Sequence, residues 1–64
     1  MNITLSPGRF KMLCQCSGLS DRQIAVLLGV CTLIVQGWKS GAMPITLNEA
    51  KLLTEYVNQK IHIL

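Results

Sequence analysis

The chain is short of the residues that catalysis and metal binding need. Its 64 residues include only three carboxylates and a single histidine, and charged residues make up 14% of it against 50% hydrophobic ones. Asp21, Glu49 and Glu55 are scattered and His62 stands alone near the end, so no paired acid and base and no Ser/His/Asp or Cys/His constellation can be drawn. An enzyme is therefore not expected. The three cysteines, Cys14, Cys16 and Cys31, are an odd set with no signal peptide ahead of them. A C-x-C pair with one distant third cysteine matches no zinc spacing. The expectation is reduced structural thiols in a reducing cytoplasm, with no metal, no cofactor and no small-molecule ligand.

The chain also lacks a full-length apolar run. Residues 23–38 read QIAVLLGVCTLIVQGW, but a membrane span needs about 20 predominantly apolar residues. Here Gln23 and Gln36 bracket about a dozen, Gly29 interrupts them, and Asp21, Arg22 and Lys39 flank the run. No charged and apolar layout of a targeting peptide is present either. A soluble, cytoplasmic protein with no membrane partner is expected, and the run is either two buried strands or two short helices around a turn.

What is present is a small basic domain. A chain of this length buries only about 60% of the surface its unfolded form exposes. With disulfides and metal set aside, self-association is the remaining way to add stability. The net charge is +3 and the pI near 9.0. All of the excess lies in residues 1–44, which carry Arg9, Lys11, Arg22 and Lys39 against Asp21; Lys51 and Lys60 balance Glu49 and Glu55 in the remainder. An anionic partner suits that distribution.

Helix signals punctuate the sequence. Ser6-Pro7 can open a helix, Phe10, Leu13 and Cys14 repeat at i, i+3, i+4, and Gly18 can close it, which predicts a first helix over 7–17. Ser20-Asp21-Arg22-Gln23 has the form of a capping box. Ile24, Leu27 and Leu28 share a face behind it and Gly29 supplies a left-handed stop, predicting a second helix over 21–28. A two-turn helix is unstable alone and must pack at once on a neighbour. The β-branched residues after Val30 also suit a strand, but Trp38-Lys39-Ser40-Gly41 favours a third helix over 31–39. Pro44 marks a turn, and Thr46-Leu47-Asn48-Glu49 is a second capping box. It opens a fourth helix over 47–60, with Leu47, Ala50, Leu53, Val57 and Ile61 as its stripe and Leu52 and Tyr56 widening it. Trp38 and Tyr56 both sit at core spacing.

In a twenty-residue unit that begins at Asp21, Ala25 is fifth, Gly29 ninth, Val35 fifteenth and Trp38 eighteenth. A small residue where two helices cross, a glycine at a left-handed turn and apolar residues pinning the second helix are what a helix-turn-helix needs. With QIAVLLGV, the spacing to VQGW, and the Trp-x-x-Gly-then-Pro ending of WKSGAMP, residues 9 to 60 resemble the lambda-repressor and Cro type of helix-turn-helix, a large family of phage and bacterial DNA-binding regulators. The resemblance implies an all-α fold, a compact four- to five-helix bundle in one domain. The chain's size, little more than the motif, resembles phage Cro proteins and the compact regulators associated with anti-CRISPR operons.

At 100° per residue from Val35, the third helix turns Trp38, Cys31 and Ile34 inward and Leu33, Gln36, Gly37 and Ser40 outward. The resemblance places base reading on Thr32, Leu33, Gln36 and Gly37, and phosphate positioning on Ser20, Arg22, Lys39 and Ser40. Gln36 suits a bidentate contact to adenine, and Leu33 with the Thr32 methyl suits thymine methyls. Gly37 would let the helix backbone approach the groove. Asp21 is left out because its carboxylate repels phosphate, and Arg9 and Lys11 are further candidates for the duplex backbone. The implied partners are double-stranded DNA with a palindromic operator and a second copy joined through the C-terminal third by Leu52, Tyr56, Ile61, Ile63 and Leu64. Repression by covering a promoter is the implied mechanism. The apolar content of the third helix, Leu33, Ile34 and Val35, leaves open a second class of function, a protein-interaction module such as an antitoxin or assembly partner that does not bind DNA.

Overall fold

The computed structural model describes residues 3–62, and side chains through Lys60. Its elements run β1 (Thr4–Leu5), α1 (Pro7–Ser17), α2 (Asp21–Leu28), α3 (Thr32–Ser40), β2 (Ile45–Thr46) and α4 (Lys51–His62). Local chemistry sets most of these boundaries. Ser6 is extended and its hydroxyl accepts from the Arg9 N–H at 3.2 Å, with Pro7 inside the first turn of α1. At the other end Gly18 is left-handed, and the Lys60 ammonium donates to the Ser17 carbonyl at 3.1 Å, a cation at the negative end of a helix. Ser17 is buried with its hydroxyl fully used, donating to the Cys14 carbonyl and accepting from the Leu19 N–H.

The capping box of α2 is closed on both sides. Gln23 N–H donates to the Ser20 hydroxyl at 3.2 Å, and the Ser20 N–H donates to Gln23 Oε1 at 2.9 Å. Gly29 ends the helix at φ 72°, with its own N–H on the Val26 carbonyl and the Val30 N–H on that of Ala25, the paired bonds of a Schellman motif. α3 then starts on Cys31, which is extended and makes no side-chain cap. This helix lies one residue later than the expected 31–39. Cys31, placed inward by the wheel, is exposed, because it is the residue before the helix and does not follow the helical rotation.

The two-residue strands correct the expectation of an all-α fold. β1 and β2 pair antiparallel, Thr4 with Thr46 and Leu5 with Ile45, and the Leu47 N–H extends the ladder to the Ile3 carbonyl. The ladder ties the N-terminal segment to the stretch before α4. It also delays that helix. The Thr46–Glu49 capping box is made as expected, with Glu49 N–H on the Thr46 hydroxyl and Thr46 N–H on Glu49 Oε1, but residues 47–50 form a turn and regular α4 begins at Lys51, not at 47.

Phe10, Cys14, Ile24, Ala25, Val35, Trp38, Ile45, Ala50 and Leu53 form one core. At its centre Phe10 of α1 and Trp38 of α3 meet edge to face, 5.7 Å between ring centroids. Leu52 and Tyr56 are the exceptions to the expected stripe: both are exposed, as is Leu47, because α4 and the turn before it bury only the narrower face of Ala50, Leu53 and Val57. Tyr56 is therefore not a core residue. Among the described residues no single helix is long and apolar enough to cross a membrane, and α2 and α3, which share the apolar run, diverge by 107°.

Candidate nucleic-acid interface

The site is built on that bend. Three residues, Gly29, Val30 and Cys31, carry the chain from α2 to α3, and only a residue tolerant of positive φ fits the first of them. Ala25, 4% exposed, presents only a methyl on the buried side of α2, beside Ile24. α3 is seated by Val35 and Trp38, which are 0% and 4% exposed, and by half-buried Ile34. Its opposite side is bare: Leu33 is 74% exposed, and Gln36 and Ser40 also face solvent. Thr32 is half-buried on the first turn.

Gly37 does not belong to that bare side. A β-carbon there would overlap the terminal methyl of Met43, and the Gly37 carbonyl accepts from the Met43 N–H at 3.1 Å. The absence of a side chain at 37 serves the folding back of residues 41–43 over α3. Ser40 is also engaged locally: its hydroxyl donates to the Gly37 carbonyl at 3.2 Å and accepts from the Ala42 N–H at 3.3 Å, closing the end of α3 where Gly41 turns left-handed.

At the start of α2 the capping box consumes the N–H groups of Ser20 and Gln23 and leaves those of Asp21 and Arg22 pointing outward, beside the exposed Arg22 side chain. The Ser20 hydroxyl accepts from Gln23 and keeps its own proton to donate. Next to them lies a contact that reading the residues one by one missed. The Lys39 ammonium donates to Asp21 Oδ1 at 2.8 Å, with each side chain about one-third exposed. That hydrogen bond holds the Lys39 pKa above its ordinary value, partly opposed by desolvation. Both charges reach the buried Cys14 thiol, whose pKa is pushed up mainly by burial, with Lys39 lowering it and Asp21 raising it. The signal for the pair was in the sequence: opposite charges stand at the first and nineteenth positions of a unit that folds back on itself.

The Lys39–Asp21 contact brings α2's first turn, which carries Arg22 and is capped by Ser20, to α3's last, which carries Lys39 and Ser40; Thr32, Leu33 and Gln36 lie along α3 toward the turn. Arg9, Lys11 and Arg22 are exposed cations that pair with no carboxylate among the described residues. Arg9, however, lines an open groove of about 370 Å³ with Leu5, Met12, Leu13 and Leu47, on the side of α1 facing the start of α4. The side chains of His62, Ile61, Ile63 and Leu64 lie outside the described set. No known protein family matches this chain, and no curated protein or solved structure matches it either.

Proposed function

We propose that α2, its turn and α3 form a helix-turn-helix of the lambda-repressor and Cro type, by which the chain binds double-stranded DNA sequence-specifically and represses transcription by covering a promoter. The observation that carries this reading is the two-sidedness of α3: Val35 and Trp38 fix it to the body while Leu33 and Gln36 stand free. A major groove about 12 Å wide admits a helix presented this way. The three-residue turn and the 107° bend fall within the usual geometry of such a unit.

In this reading Gln36 pairs with the N6 and N7 of an adenine, Leu33 and the Thr32 methyl pack on thymine methyls, and Arg22 with the Ser20 hydroxyl and the free N–H groups of α2 holds a phosphate. A second copy, joined through exposed Leu52 and Tyr56, sets two reading helices about 34 Å apart on a palindromic operator. The free thiols suit a reducing cytoplasm. A second reading has its own support: Val26 and Leu33, 79% and 74% exposed on α2 and α3, are the kind of side chains that a protein partner would cover.

Selection of duplexes from a random pool by the purified protein tests the proposal. A common, two-fold symmetric sequence should emerge, bound with a steep loss of affinity as salt rises, and Gln36→Ala should relax the preference at one base step. Failure to enrich any sequence, or binding indifferent to salt, would favour the interaction module instead.

A further inference from the structure

We infer that the Asp21–Lys39 ion pair is a strut that fixes the direction of α3 against α2, making Lys39 a positioning residue for base reading and not a phosphate clamp. The inference rests on the DNA-binding reading above. The turn at Gly29–Cys31 joins the two helices at one end, and the pair joins them at the other, first turn of α2 to last turn of α3. With both ends tied, opening the bend like a hinge breaks the ion pair.

The consequence for reading is geometric. Gln36 stands roughly 7 Å along α3 from the turn at 1.5 Å per residue, so rocking α3 by about 10° carries its amide about 1 Å. A displacement of that size spoils a bidentate contact, whose two hydrogen bonds keep to a few tenths of an ångström. The arrangement also accounts for Asp21. A bare carboxylate at the start of α2 repels a phosphate, whereas one held 2.8 Å from an ammonium presents no net charge. Lys39 for its part sits at the carbonyl end of α3, where the helix dipole disfavours an anion, and its ammonium already has a carboxylate. The phosphate contact at this junction then falls to Arg22, exposed and without an ion-pair partner among the described residues.

The test compares Lys39→Met, Asp21→Asn, Lys39→Arg and Arg22→Gln. For each, affinity is measured against salt on the duplex selected by the wild type and on a scrambled duplex. In parallel, N–H residual dipolar couplings of the free protein report the angle between α2 and α3. As a strut, the pair predicts that Lys39→Met and Asp21→Asn both cut the ratio of selected to scrambled affinity by at least about fivefold, the low end of what one base contact is worth. Both should reorient α3; the charge-neutral double change Asp21→Asn with Lys39→Met, which leaves no bare carboxylate, should cut the ratio as the single changes do and leave the slope of log affinity on log salt unchanged. Lys39→Arg should keep the wild-type ratio. Arg22→Gln should do the reverse of the first two, lowering the slope by about 0.9 per protomer with the ratio kept. A clamp predicts instead that the double change lowers the slope as Arg22→Gln does, and that Asp21→Asn tightens binding to both duplexes alike; either result overturns the inference. If the wild type prefers no duplex, the DNA reading itself fails. Unchanged couplings in Lys39→Met overturn the strut whatever the DNA result.

Discussion

Replacing Phe10 tests the joint that holds α3 in place. Its ring is fully buried and meets Trp38 at an interplanar angle of 79°, so α1 grips α3 through this pair. A 64-residue domain has about 3–10 kcal/mol of stability at roughly 0.05–0.15 kcal/mol per residue, and Phe→Ala in a core removes about 3–5 kcal/mol. Alanine would therefore unfold much of the population. Leucine is the informative substitution. It forfeits the edge-to-face term, about 0.5–1.5 kcal/mol, and adds up to about 1.5 kcal/mol of shape mismatch, for a total of about 0.5–3 kcal/mol. Urea unfolding followed by helix ellipticity and by Trp38 fluorescence gives this loss directly. At about 4–8 °C per kcal/mol the melting temperature should fall by at least about 2 °C. A loss under about 0.5 kcal/mol would mean that the ring pair does not hold α1 to α3.

Other outcomes follow from the same contacts. Burial raises the Cys14 thiol above 9.0 and Asp21 raises Lys39 above 10.5. Both contributions to stability are complete below those ordinary values and are lost as pH rises through the raised ones. The unfolding free energy should stay level up to about pH 9 and then decline, and Cys14→Ala should move the onset to above about 10.5; an onset unmoved by that change would refute the assignment. Gly37→Ala should gain about 0.8–1 kcal/mol from helix propensity in a Met43→Ala background but less than half of that beside the native methionine, whose methyl must swing away. Equal gains in the two backgrounds would show that Met43 does not rest on Gly37.

What could be read from the sequence was what is encoded locally. Ser6-Pro7, the Ser20–Gln23 box, Gly18 and Gly29 act on neighbours within six residues, and α1 and α2 lie over the ranges read from them. The strand pair could not be read, since two residues have no period and Thr4 meets Thr46 across the chain. Exposure of Leu52 and Tyr56 was hidden for a related reason: spacing marks one broad apolar stripe, and only the packing of α1 and α2 on α4 decides how much of it is covered. In the candidate site, the sequence identified the bare residues Leu33 and Gln36 but not what their neighbours touch. Gly37 answers to Met43, and Lys39 to Asp21, eighteen residues away.

The most direct measurement is a titration of ¹⁵N-labelled protein with the selected duplex, followed amide by amide. The largest shifts are expected at Thr32, Leu33 and Gln36 and at Ser20 and Arg22, weakening as salt is raised, with smaller ones at Leu52 and Tyr56 on the outer face of α4, where the second copy joins. Shifts centred on α4 or on the groove beside Arg9, or none along α3, would contradict the DNA reading.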